Sequence, residues 1–170
     1  MTSKLAQGTI VATCAPFKRM RIFVCTMLLG LVAAPFAARA AAPEFVIARD
    51  GKAEAVIVVH GGVTNGVRYA ANELAKFLGR ISGARFMVAD KPVPGYRTIL
   101  VGTPYKPQNP EELCVRVKDA NTLEVTGDRS RGTLYAAYDL LEHFGVVFCA
   151  RDFDYVPRIA HLAIAGDYNK

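Results

Sequence analysis

The chain has no tryptophan, only three histidines and only four cysteines in 170 residues. Each shortage excludes something. His60, His143 and His161 stand far apart, and no cysteine has a Cys-x-x-Cys or Cys-His companion, so no metal site is expected. Cys14 and Cys25 fall in the first 40 residues, which leaves Cys114 and Cys149 beyond them. Two cysteines do not make a disulfide framework; a bridge and a pair of free thiols both remain open. Charge of one sign is also missing where it would matter. The formal net charge is +6, but five of the 21 basic residues and none of the 15 acidic ones precede position 41. The remainder carries 16 basic residues against 15 acidic ones, which leaves no electrostatic footprint for nucleic acid.

One long apolar run is present, near the front. Lys18, Arg19 and Arg21 make a positive start, Ile22 to Ala38 is uncharged and apolar, and Ala38-Arg39-Ala40 offers a small-x-small cleavage pattern. The run is short for a membrane span and contains Pro35. Residues 1–40 are therefore expected to be a signal peptide with a long leader, removed on export to a periplasmic or extracellular space. Met20 is a second candidate start, and an uncleaved anchor is the alternative. Val11-Ala12-Thr13-Cys14 lacks a preceding apolar run and is not read as a lipoprotein box. Cleavage near Ala41 leaves a body large enough for one domain with one core.

Within that body, Phe45 to Arg49 and Glu54 to His60 read as strands around Asp50-Gly51, a strong hairpin signal. Thr64 or Asn65 can open a helix running to Ser82, with Val67, Ala70, Ala71, Leu74, Leu78 and Ile81 at helical spacing and Gly83 behind it. Arg85 to Ala89 and Thr98 to Val101 read as strands, and Thr103 to Pro110 as a proline-rich loop. Leu113 to Lys118 and Thr122 to Thr126 alternate as a hairpin should. Asp128 or Ser130 can cap a second helix with the stripe Leu134, Ala137, Tyr138, Leu141 and Phe144, ending at Gly145. Val146 to Cys149 and Asp154 to Val156 are short strands. The expectation is an α+β fold: a mixed, mostly antiparallel sheet with two helices packed on one face.

No complete catalytic constellation is visible, and neither a catalytic residue nor a cofactor is assigned. Gly61-Gly62-Val63-Thr64-Asn65-Gly66-Val67-Arg68 imitates a phosphate loop but has Val67 and Arg68 where lysine and a hydroxyl are needed. His60-Gly61-Gly62 imitates an oxyanion loop without a Gly-x-Ser-x-Gly elbow to accompany it. Glu111, Glu112, Asp152 and Asp154 could pair across a cleft for glycosidic chemistry, but solvated loops explain them as well. Asp139 and Glu142 are expected on the polar face of the second helix. Arg131 opposes the dipole at a helix start, so it should have a specific partner: a carboxylate of this domain, of a neighbouring domain or of a ligand. Tyr96, Tyr105, Phe153 and Tyr155 are loop or edge aromatics that could serve as sugar contacts.

Three strings together carry a resemblance. "RYAANELAKFLGRISGARFMV", "TILVGTP" and "NTLEVTGDRSRGTLYAAYDLLEHFGVVF" followed by "YVP" resemble, in order and spacing, the N-terminal domain of bacterial α-glucuronidases. They are similar also to the related second domain of β-N-acetylhexosaminidases. The likeness spans residues 44–158; Phe148 departs from it, where many relatives carry tryptophan. It implies a hexosaminidase-domain-2-like fold over 41–158 and a non-catalytic accessory role in xylan-type polysaccharide breakdown. The implied partner is a (β/α)₈ catalytic domain, in cis in relatives or on a separate chain. Residues 159–170 are then expected to be a linker toward such a barrel. The alternative is a free-standing glycan-binding module using Tyr96, Tyr105 and Tyr155, with polysaccharide itself as the partner.

Overall fold

A computed structural model describes residues 44–60, 64–150 and 153–170. The expected signal segment and the loop Gly61-Gly62-Val63 lie outside the described residues, as do Arg151 and Asp152. Ten strands and two helices follow in the order β1 (Phe45–Arg49), β2 (Lys52–Ala53), β3 (Ala55–Val59), α1 (Asn65–Ser82), β4 (Val88–Ala89), β5 (Arg97–Val101), β6 (Leu113–Asp119), β7 (Thr122–Gly127), α2 (Arg129–His143), β8 (Val147–Ala150), β9 (Phe153–Tyr155) and β10 (His161–Ile164). The fold is α+β. Four of the described strand pairings are antiparallel. Three parallel ones sit together in the central sheet, whose order is β4-β3-β5-β7-β6.

The Asp50-Gly51 turn forms as its sequence predicts. Both residues have positive φ, 48° and 74°, and Arg49 stands opposite Lys52, the geometry of a two-residue turn matched to strand twist. The hairpin is brief. After Glu54 the chain leaves this sheet, and β3 joins the central one parallel to β4 and β5. The β3 run Ala55-Val-Ile-Val-Val59 is buried at every position. A continuous apolar run of this kind suits a parallel strand covered on both faces, rather than an alternating hairpin arm. The expected strand from Arg85 shrinks to Val88–Ala89 at the sheet edge, with Met87 giving one carbonyl to the Ile57 N–H at 3.0 Å.

α1 follows its apolar spacing closely. Val67, Ala70, Ala71, Leu74, Phe77, Leu78 and Ile81 are buried, and Gly83 ends the helix at φ 77°, its N–H on the Gly79 carbonyl. Full burial of a residue such as Leu74, Leu78 or Ile81 is worth roughly 1.5–3 kcal/mol. α2 turns further toward its neighbours than its sequence stripe suggests. Ala136 and Leu140 are buried along with Ala137 and Leu141, whereas Leu134 and Tyr138 are only half-buried. The reason is double packing: the helix lies against β7 and β6 on one side and against α1 on another. Both helices share one hydrophobic cluster with Ile57, Val59, Ile99, Val101, Leu123 and Val125, which alternate onto the same face of the central sheet.

Residues 159–170 are not a linker. β10 pairs antiparallel with β1, Phe45 opposite Ile164, and Leu162 and Ile164 are buried. Ile159 donates to the Ile81 carbonyl at 3.0 Å. Beyond β10, Tyr168 and Lys170 bond the backbone of Val117 and Val115, covering the outer edge of β6. Leu162 and Ile164 join the core cluster, with Ile159 partly buried against it, and this apolar burial favours the return.

Candidate functional site

Parallel β3, β5 and β7 end on one edge of the central sheet, and the chain turns there twice into a helix. His60 N–H bonds Val101 and Gly102 N–H bonds Val125, each at 3.0 Å, so the three strand ends lie side by side. A cleft of about 470 Å³ opens above them, lined by His60, Thr64, Thr103, Tyr105, Arg129, Ser130 and Thr133 among others. Open sheets with parallel strands receive ligands at this edge.

The starts of α1 and α2 converge in this cleft. The Thr64 and Ser130 hydroxyls are 2.5 Å apart. A Cβ on Gly66 would come within 2.8 Å of the Ser130 Cβ, so the approach depends on that glycine. Neither helix has an acidic residue in its first turn or a side-chain cap. Asp128, expected as a cap, instead accepts the Glu111 N–H on Oδ2 at 3.3 Å, and Ser130 spends its hydroxyl on Thr64. The cleft is therefore lined by hydroxyls, an imidazole and the exposed Arg129, whose own φ is 54°. Its described lining residues include no carboxylate. The arrangement can bind and orient a group; it holds no pair of carboxylates for glycosidic acid and base work.

The neighbouring carboxylates are committed to protein. Glu112 accepts Tyr105 Oη on Oε1 at 2.5 Å, and the N–H groups of Gln108 and Asn109 on Oε2 at 2.7 and 2.9 Å. The Tyr105 hydrogen bond, then those from Asn109 and Gln108, hold the Glu112 carboxyl below its ordinary 4.5. The same hydrogen bond, followed by burial and the carboxylate charge, pushes Tyr105 up to about 12. Glu112 thus adds stability above its ordinary value and loses it as pH falls through the lowered folded value. Tyr105 adds stability below its ordinary 10.0 and loses it as pH rises through about 12. Their bond stands throughout the neutral range.

Arg131 lies beside the cleft rather than in it. Its Nη1 is 2.9 Å from Glu111 Oε1, with the two side chains 70% and 51% exposed. Of the three partners considered for it, this is the carboxylate of its own domain. An exposed pair of this kind contributes about 0–1 kcal/mol. Arg131→Ala should change unfolding free energy by less than about 0.5 kcal/mol in denaturant titration, and a loss of about 2 kcal/mol would mean that the guanidinium holds more than Glu111.

The sequence-predicted tyrosines do not gather. Tyr96 precedes β5, beside Lys52 and Met87, at the end of the strand opposite to the cleft. Tyr105 forms part of the cleft wall, and Tyr155 is on β9, 58% exposed. Tyr155 stands opposite Val147 in the β8–β9 pair, with Phe153 two positions back along the same strand; all three are exposed. Phe148 turns the other way, 5.3 Å from the Phe77 ring and 5.0 Å from that of Tyr138. Two acidic residues expected in solvent are also engaged. Asp154 pairs with Arg80 at 3.5 Å, and Asp139 is 16% exposed because the returning C-terminal segment sets Lys170 against it. Cys114 is buried, Cys149 is exposed, and both are free thiols.

Among the described residues, no group of three or more His, Cys, Asp or Glu side chains is arranged to hold a metal ion, and no helix is long and apolar enough to cross a membrane. The chain matches no known protein-family model and none of the curated proteins. Sequence reasoning missed the convergence of Thr64, Ser130 and His60. Its one available signal was the glycine set Gly66, Gly127 and Gly132 bracketing both helix starts.

Proposed function

We propose that this chain is an exported, non-catalytic accessory domain of the α-glucuronidase type, serving a (β/α)₈ glycoside hydrolase domain in xylan-type polysaccharide breakdown. The observation that carries the reading is how the resembling strings fall on the fold. The first covers α1 through β4, the second β5, and the third β7, α2 and β8. They take in most of the helix layer, the adjacent strands β5 and β7, and the edge strand β4 beyond β3, so the likeness falls on the central sheet and the helices that cover it. The exposed Val147, Phe153 and Tyr155 beside that layer are the apolar surface on which a partner domain would seat.

Two measurements test this. The purified chain should leave glucuronoxylan oligosaccharides and aryl hexosaminides intact, and clear turnover would refute the accessory reading. It should also bind an α-glucuronidase barrel supplied in trans, with Phe153→Asp and Tyr155→Asp each weakening capture about tenfold or more. A second reading, a free-standing glycan-binding module, draws on Phe153 and Tyr155 alternating onto one exposed face of β9. Glycan-array binding lost in Tyr155→Ala, with no barrel capture, would favour it.

A further inference from the structure

The segment from Gly102 to Glu112 runs from the end of β5 to the start of β6 and supplies one wall of the cleft through Thr103, Pro104 and Tyr105. Both of its ends are fixed to β7 and its flank. Gly102 N–H bonds Val125 at 3.0 Å, and Thr126 Oγ1 bonds the Thr103 carbonyl at 2.7 Å. At the far end Asp128 N–H bonds the Glu112 carbonyl at 2.7 Å. The stretch between behaves differently. Pro104, Pro107 and Pro110 remove three backbone donors from it. Every hydrogen bond of 3.0 Å or less that ties residues 104–110 to the described protein ends on the Glu112 side-chain carboxylate.

We propose that residues 104–110 are a hinged strap beside the cleft, with the Glu112 carboxylate as, among the described residues, the latch that keeps Tyr105 in the cleft wall. The strap starts just past Thr103, whose carbonyl Thr126 holds, and its far hinge is Glu111, at φ 63°. Glu111 is a non-glycine residue held in the left-handed region, which costs free energy that opening can release. Thr133 lines the same cleft as Pro104 and Tyr105 and is 1% exposed, its hydroxyl bonded to the Arg129 carbonyl at 3.0 Å. Opening exchanges the three bonds on the Glu112 carboxylate, and the longer Glu112 N–H to Asn109 carbonyl bond at 3.4 Å, for bonds to water. Such local openings lie at the low end of a protein's stability range. Access to the two helix starts is then set by the latch.

Amide exchange followed by mass spectrometry on the full chain tests this. Glu112→Ala should speed exchange across residues 104–109 about tenfold while α1, α2 and β7 keep their protection. Tyr105→Phe, which removes one of the three bonds, should give a smaller rise in the same residues. A cleft reporter reads the gate directly. In a Cys149→Ser background, a Thr133→Cys thiol should be labelled several-fold faster, by roughly the same factor as exchange, once Tyr105→Phe is added. Unchanged exchange and labelling in Tyr105→Phe would overturn the proposal. Equal acceleration through α2 and β7 in Glu112→Ala would overturn it too, since Glu112 would then belong to the core. If Glu112→Ala fails to fold, Glu112→Gln, which cannot accept all three donors as strongly, takes its place with the same expectation.

Discussion

Gly127→Ala should destabilise the domain by about 3 kcal/mol, lowering its thermal midpoint by roughly 10 °C. A Cβ at this position would stand 2.4 Å from the Gly132 carbonyl carbon, 2.6 Å from the Glu112 oxygen and 2.7 Å from the Gly132 oxygen. All three obstacles are backbone, so no side chain can rotate aside. Relief would have to come from moving α2 away from β7, or the last residue before β6 away from both. Those three segments meet where the strap ends and the second helix begins, so the same substitution should disturb the cleft. Gly51→Ala is the control. Nothing lies within 4 Å of a Cβ there, and only the φ of 74° opposes it, a penalty of about 1 kcal/mol. Thermal unfolding of the two variants followed by circular dichroism separates the cases. Equal midpoints would mean that the crossing at Gly127 relaxes without cost.

Phe77→Ala should cost about 3–5 kcal/mol, the range for removing a large aromatic from a core that only partly collapses. Phe77 is 2% exposed, its ring edge-to-face with Phe148 and flanked by Lys76 at 4.8 Å and Arg80 at 5.0 Å. The consequence should not stop at α1. β8 and β9 form a separate two-stranded sheet, and an isolated hairpin of that size is marginal in water. Phe148 against Phe77 and Tyr138, together with Asp154 on Arg80, is what attaches it. Loss of the Phe77 ring should therefore raise amide exchange in β8 and β9 to near the unprotected rate even where the central sheet stays folded. Protection of β8 equal to that of β5 in the variant would show that the hairpin has another anchor.

Local chemistry was readable in the chain, and long-range pairing was not. Thr64 or Asn65 at one end and Ser82-Gly83 at the other bracket α1 closely, because helical spacing and the glycine stop act within a few positions. Asp50-Gly51 likewise states its turn. Nothing near Glu54 states that β3 will leave β1 and β2 for a parallel partner, since that choice is made by Arg97 to Val101, more than forty positions on. Only the unbroken apolar run of β3 hinted at it. β10 was hidden for a related reason: His161-Leu-Ala-Ile164 is too short to declare itself, and its burial comes from Phe45 and Ile81 at the other end of the body. Of the site, Arg131 drew attention through the helix dipole, but its partner Glu111 lies in a loop whose path no periodicity describes. The cleft itself depends on two helix starts brought together by three parallel strands, a property of topology that leaves only the glycines Gly66, Gly127 and Gly132 as a local trace.

The pairing of β1 with β10 has a consequence in time as well as space. Ribosomes make Phe45 more than a hundred residues before Ile164, yet each is the other's partner. A chain emerging at about 5–20 residues per second holds β1 without its principal partner for several seconds while the rest is made. Contacts this distant in sequence also slow closure once the whole chain is free. The β1 edge should therefore stay open, and the body incompletely folded, until His161 to Ile164 has been made.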